Sequence, residues 1–178
     1  TPSSSSAASD VYKRQGRTIA FGHGLGCHVC LLRPKSTGEV TLNSNDAFDS
    51  PKIDPKFFSE REDMDIMIKG YRKMMQIMDA EPLRPFTRKV QDPVDINSDA
   101  DIEAAMRARA DTVYHPVGTC KMGSDEMSVV NHELKVHALE NVRVVDASIM
   151  PTLVGGNTNA PTIMIGEKAA DMIKSSWA

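Results

Sequence analysis

Val144-Val145-Asp146-Ala147-Ser148-Ile149-Met150-Pro151, followed closely by Gly155-Gly156-Asn157-Thr158-Asn159-Ala160-Pro161-Thr162, limits what this chain can fold into. A β-branched run ends at an acid, a diglycine loop follows, and polar residues then open an apolar segment. The pattern predicts strand, loop and helix in close succession. Ala147 is small enough to let backbone approach a ligand, and a helix start offers free N–H groups to an anion. Upstream, Tyr114-His115-Pro116-Val117-Gly118-Thr119-Cys120-Lys121-Met122-Gly123 sets one histidine between a strand-like run and a glycine turn. Pro116 and Gly118 fix a turn there rather than a packed element. A base beside a loop and a helix N-terminus is what proton abstraction next to a bound anionic group requires.

Composition narrows the class. The 178 residues suit one domain or a piece of a larger one, and 40% apolar with 25% charged residues describes an ordinary soluble globular protein. A net charge of −3 without a basic stripe argues against nucleic acid as the main partner. No apolar run approaches the length of a transmembrane span. Three cysteines favour a reducing compartment over a disulfide scaffold. The expected location is cytoplasmic or peripheral to the inner membrane.

Residues 1–15 read differently from the rest. Thr1-Pro2-Ser3-Ser4-Ser5-Ser6-Ala7-Ala8-Ser9 is of low complexity and cannot bury a face. Asp10-Val11-Tyr12-Lys13-Arg14-Gln15 resembles the translation of a transposon end, so 1–15 is taken as a disordered assembly artefact. The natural chain then starts near Gly16, in mid-domain, as a fragment.

Cys27-His28-Val29-Cys30-Leu31-Leu32 reads as one strand and Glu39-Val40-Thr41-Leu42 as a second, with 46–55, which holds two prolines, Pro51 and Pro55, as loop. Ser59-Glu60-Arg61-Glu62 has the spacing of a capping box. Behind it Met64, Met67, Tyr71, Met74, Met75 and Met78 form one apolar face of a long helix, better explained as core filler than as a cofactor box. Pro82, Pro85 and Pro93 mark a connector. A second helix starts at Ser98 or Asp99 and turns Ile102, Met106 and Ala110 to one side. Residues 134–136 and 142–145 are expected as short strands around a turn at Glu140-Asn141. The last helix runs from about Pro161 to Lys174, with Thr158 or Asn159 as cap. Strands interleaved with helices in this way give an α+β architecture.

Rival sites are weaker. Cys27 and Cys30 lie three apart on an expected strand, so they point to opposite faces, and no second pair accompanies them. A thiol-disulfide or metal protein built on Cys27, Cys30 and His28 is therefore the lesser alternative, and no metal is expected. His132 and His137 are five apart, one residue too far for a zinc-protease helix, and read as surface residues. Glu60, Glu62, Asp63 and Asp65 read as a solvated helix start favoured by the macrodipole.

The His115 loop, the Asp146 strand end and the diglycine loop, in this order and spelling, resemble the C-terminal part of the glucose-methanol-choline (GMC) oxidoreductases, flavoenzymes that oxidise alcohols. The resemblance runs from about Gly22 to Ile173, and its wording is nearest to bacterial alcohol and choline dehydrogenases that use flavin adenine dinucleotide (FAD). It implies a partial substrate domain of antiparallel strands and helices over 16–112. It further implies that 113–178 supplies the catalytic histidine loop and the strand–loop–helix that completes the FAD-binding domain. His115 matches the family's base, and Asn157 matches a position that holds histidine or asparagine beside it. An amide accepts no proton from the alcohol, so Asn157 is left to orient the substrate oxygen. Cofactor contacts are implied for Asp146, Ala147, Asn157, Thr158, Asn159, Pro161 and Thr162.

The implied reaction takes a primary alcohol to an aldehyde, the proton going to histidine, whose ordinary pKa of about 6.5 suits the task. The glycine-rich dinucleotide fingerprint is missing, since Gly22-His23-Gly24-Leu25-Gly26 does not fit its spacing. An upstream FAD-binding region of the same protein is thus an expected partner, besides the small alcohol itself. Trp177 is the one tryptophan, so no aromatic cage for a quaternary ammonium is evident. The competing class is a folded remnant or interaction module that keeps the signature without the chemistry.

Overall fold

The computed structural model describes residues 24–176. The readings placed on 1–15, on Gly22 and His23, and on Trp177 lie outside the described residues. Among the described residues the architecture is α+β: a two-stranded antiparallel sheet and three α-helices, with two hydrophobic clusters. The sheet joins β1 (Glu39–Thr41) to β2 (Lys52–Asp54), with Val40 opposite Ile53. The second strand falls inside the stretch expected as loop. Pro51 and Pro55 bound it rather than interrupt it, so neither removes a ladder donor from its three residues. Residues 27–32, expected as a strand, belong to no strand or bridge among the described residues. Their exposure still alternates, Cys27, Val29 and Leu31 being half-buried and His28 and Cys30 exposed. The strand reading was therefore right about the alternating faces and wrong about the ladder.

Helix α1 (Arg61–Met78) and helix α2 (Asp99–Arg109) form the first cluster. Met64 and Ile68 of α1 meet Ile102 and Met106 of α2, and Met64 and Ile102 are fully buried. Burial of such side chains contributes roughly 1.5–3 kcal/mol each. Ile68 was absent from the expected methionine face, although it lies one turn beyond Met64. Ser98 caps α2, accepting from the N–H of Asp101 as its sequence predicts. Arg61 bonds Glu103, and Arg72 bonds Asp99 and the Ile96 carbonyl, which ties the two helices at their rims.

The start of α1 departs from its sequence signature. Glu60, not Ser59, is the N-cap residue, and no side chain of its own caps the helix. The cap is supplied from a distant loop: the Glu60 N–H donates to Ser36 Oγ at 3.2 Å. Asp63, expected in solvent, is 2% exposed and accepts from the Lys35 N–H at 2.9 Å, the Ser36 N–H at 2.8 Å and the Ser36 hydroxyl. A capping box needs only local partners, whereas Asp63 found better ones in 33–38.

The second cluster gathers Val130, Leu134, Ile149, Met150, Ile165 and Ala169. Helix α3 (Asn159–Ser175) contributes Ile165 and Ala169, one turn apart on its inner face. The strands expected at 134–136 and 142–145 meet each other in one bridge, Lys135 to Arg143, flanked by bonds from Val136 N to Val142 O and from Val144 N to Leu134 O, while Val136 also bridges Val130. The turn between them lies where expected, with Asn141 left-handed at φ 59°. Asn tolerates that region better than most residues.

Burial opposes ionisation of Asp63, but the Lys35 N–H, the Ser36 hydroxyl and N–H, and the Lys35 charge together hold its carboxyl below the ordinary value. A lowered carboxyl stabilises the fold above the unfolded value of about 3.9, and that contribution is lost as pH falls through the folded one. Asp63→Ala is expected to cost about 1–3 kcal/mol near neutral pH. In thermal unfolding followed from pH 7 downward, the gap between parent and variant should narrow below about pH 4. A gap of constant size would show that the ionised carboxylate is not its source.

Candidate functional site

His115 lies in the irregular segment that leaves α2. The following Pro116 disfavours helical backbone at His115, and Tyr114 before it is left-handed at φ 62°. For a bulky residue this conformation costs about 1–2 kcal/mol and persists only where the surroundings impose it. Gly118, at φ 88°, closes the turn, and the Lys121 N–H donates to its carbonyl at 3.2 Å. The loop is then laced to the chain after Asp146: Cys120 N–H bonds Ser148 O at 3.1 Å, and Met122 N–H bonds Ile149 O at 2.8 Å. Asp125, beside this loop, is lowered to about 2 by hydrogen bonds from the Lys121 ammonium and the Ser128 hydroxyl.

Asn157 and Thr158 stand at the entry to α3, and both reach the imidazole. Asn157 Nδ2 is 3.3 Å from His115 Nε2, and Thr158 Oγ1 is 2.9 Å from His115 Nδ1. His115 and Asn157 line one cleft of about 350 Å³. Its remaining wall is mostly apolar: Leu31, Leu32, Val113, Leu153 and Val154, with Cys30 and Gly156. A volume of that order accommodates a small organic molecule.

The other expected site residues are placed as follows. Asp146 caps a single 3₁₀ turn, Ala147–Ile149, its carboxylate accepting from the Ser148 N–H at 2.7 Å and from the Ser148 hydroxyl. This local role is the turn-forming one that its position after a strand also allows. Ala147 is half-buried against the second cluster. Helix α3 starts at Asn159, two residues before the expected Pro161, which still falls in the first turn, where its missing N–H costs nothing. Thr158 is the N-cap residue, yet among the described residues neither it nor any other side chain caps the helix. Thr162 is turned back on the helix, donating its N–H and hydroxyl to the Thr158 carbonyl at 3.0 and 2.7 Å.

Sequence reasoning missed two features. It saw Thr158 as a cap or cofactor contact, because threonine before a helix ordinarily caps, and gave it no bond to the histidine. It also took 27–32 for a strand, whereas Leu31 and Leu32 line the cleft. No signal in the sequence separates those roles, since an apolar run reads alike in a sheet and in a pocket wall. Cys27, Cys30 and Cys120 are free thiols. Among the described residues, no group of three or more His, Cys, Asp or Glu side chains could hold a metal ion. His132 is exposed, and so is His137, although its Nε2 lies 3.0 Å from the Gly123 carbonyl.

Known proteins bear on this geometry. The GMC oxidoreductase C-terminal family model matches residues 34–166. An alcohol dehydrogenase [acceptor] from Pseudomonas putida is 51% identical over 162 residues, 90% of this chain and 29% of its own. An oxygen-dependent choline dehydrogenase from Cronobacter sakazakii is 44% identical over 160 residues, again 29% of that protein. Among solved structures, a formate oxidase variant from Aspergillus oryzae superposes with a TM-score of 0.77 at 34% identity, over 82% of this chain and 26% of that one. The chain thus spans under a third of the length of the relatives it matches.

Gly118 and Gly156 offer a contrast that tests the turn. Gly118→Ala places a side chain at φ 88° and should destabilise by about 1–2 kcal/mol, read from the urea midpoint. Gly156 has no atom within 4 Å of an added Cβ and no positive φ, so Gly156→Ala should leave the midpoint nearly unmoved. Equal effects would show that the Gly118 turn is not what holds the loop.

Proposed function

This chain belongs to the GMC oxidoreductase family, and from that premise we propose that it is the C-terminal portion of an FAD-dependent enzyme oxidising a primary alcohol to an aldehyde. The observation that carries the reading is the contact of His115 with Asn157 in one apolar-walled cleft. Two polar groups that must touch one hydroxyl oxygen stand side by side there, with leucines and valines around them.

His115 Nε2 takes the hydroxyl proton as the general base. Asn157 turns its amide from Nε2 to the substrate oxygen and holds it there as charge develops. The carbinol carbon loses its hydride as the C=O bond forms, and the proton stays on the imidazole. FAD, when bound, supplies the two-electron acceptor for that hydride. The N-terminus of α3 fits such a group: among the described residues no side chain caps it, so the first N–H groups, at Asn159 and Ala160, are left for an electron-rich ligand. Asn157, Thr158, Asn159, Pro161 and Thr162 would contribute to holding the cofactor, together with Asp146 and Ala147. On this reading 16–112 is a substrate-domain portion and 113–178 carries the base and the flavin edge. The free thiols are in keeping with a cytoplasmic enzyme, or one peripheral to the inner membrane.

The uncovered apolar surface supports a larger parent protein. Ile163 and Met164 of α3 are 58% and 57% exposed, and Phe48 beside the two-stranded sheet is 97% exposed. A two-stranded ribbon alone is marginal in water, and side chains of this kind are ordinarily covered by a partner surface.

In the full-length protein, His115→Ala should slow flavin reduction by about 10²–10⁴-fold. Asn157→Ala should cost about 1–3 kcal/mol of the barrier. Asp146→Ala should lower flavin content instead. Stopped-flow reduction with flavin content measured beside it separates the three, and a His115 variant that reduces flavin at the parent rate overturns the assignment. Alone, the chain should bind FAD more weakly than about 1 μM in a flavin-fluorescence titration. Tighter binding would mean that the cofactor site lies mainly within this portion.

A further inference from the structure

We propose that Thr158 is a positioning residue that holds His115 in the tautomer with its proton on Nδ1, leaving the Nε2 lone pair free to take the alcohol's proton. The inference rests on the alcohol-oxidation reading of the same site. Thr158 Oγ1 is 2.9 Å from His115 Nδ1, and the residue is 8% exposed. On the other side of the ring, the Asn157 amide nitrogen, a donor only, is 3.3 Å from Nε2. A donor against Nε2 requires a lone pair there, so the neutral ring carries its proton on Nδ1, and that N–H faces the Thr158 oxygen. Which nitrogen of a histidine is free for chemistry is set by the bond its other nitrogen makes.

The backbone of Thr158 makes this bond rigid. Its carbonyl accepts both the N–H and the hydroxyl of Thr162, fixing it to the first turn of α3. Its hydroxyl has been withdrawn from the task that threonine usually performs at this position. The N-cap φ and ψ are −85° and −7°, helical rather than extended, and the side chain caps no N–H. A side chain that forgoes its cap to meet a ring nitrogen on a segment 43 residues away is placed for that nitrogen. Asn157 can leave Nε2 for substrate, whereas Thr158 is buried behind the ring and stays. The lone pair is thus ready before the alcohol arrives.

The test uses the full-length protein with ¹⁵N-labelled histidine. The nitrogen shifts of His115 should show Nδ1 protonated in the parent. Thr158→Val, which keeps the shape and removes the hydroxyl, should shift the ring toward the Nε2-protonated form, and Thr158→Ser should restore the parent spectrum. In stopped flow with an alcohol that reduces the parent's flavin, Thr158→Val should lower the limiting reduction rate about tenfold, the size of one net hydrogen bond. KM should change little, and the serine variant should recover the rate. A parent protonated on Nε2, or a valine variant with unchanged spectrum and rate, overturns the proposal. If no alcohol reduces the parent's flavin, the functional reading fails by itself. The nitrogen spectra then decide alone: an Nδ1 proton lost in the valine variant and regained in the serine variant supports the role of Thr158, and any other pattern refutes it.

Discussion

A single imidazole joins the two ends of the C-terminal half of the fold. His115 is bonded on one side by Asn157 and on the other by Thr158, across 42 and 43 residues of chain. For those bonds to persist, both segments must be held by something other than each other. Helix α3 is anchored by Ile165 and Ala169 in a cluster with Val130, Leu134, Ile149 and Met150. The histidine loop is anchored to the same cluster through the bonds of Cys120 and Met122 to Ser148 and Ile149. Close packing of that cluster transmits position from one segment to the other. The left-handed backbone at Tyr114 comes directly before the histidine that these bonds hold in place.

Much of this was legible in the sequence, for local reasons. Helices α1 and α2 follow from apolar spacing, and the Ser98 cap and the Gly118 turn follow from the chemistry of single residues. The histidine, the asparagine and the helix start were marked as one neighbourhood by motif order. What escaped depended on partners distant in sequence. Asp63 reads as one more acid in a charged first turn until the loop at Lys35 and Ser36 folds onto it. The capping box at Ser59 is locally sound, yet Ser36 takes its place. Residues 52–54 form a strand only because 39–41 lie alongside, and 27–32 lack such a neighbour among the described residues. Periodicity reports which way side chains face, whereas a strand also requires a second backbone.

The two hydrophobic clusters divide the structural tasks. The one between α1 and α2 is tightened at its edge by a buried carboxylate that clamps 35–36, a few residues beyond Cys30, Leu31 and Leu32. These three residues form one wall of the cleft, while the second cluster positions the opposite wall at 153–157 and the histidine. The cleft therefore opens at the join between two separately packed regions. Small-molecule sites favour such joins, because each side can be rigid without the space between them collapsing.

Thr158 concentrates a trade that a more ordinary helix start would avoid. Losing an N-cap bond costs about 0.5–2 kcal/mol, and α3 accepts that cost because its inner face is well packed. Under the proposed function the trade acts twice. The hydroxyl turned toward Nδ1 leaves the lone pair of His115 facing the cleft, and the N–H groups it no longer caps are left for an electron-rich ligand. Proton acceptance and stabilisation of the acceptor's developing negative charge would then depend on the rotamer of one buried threonine. A substitution that returned an oxygen to the helix N–H groups would strengthen α3 and weaken both steps together. This makes an uncapped helix beside a histidine a feature of the site rather than a defect of the fold.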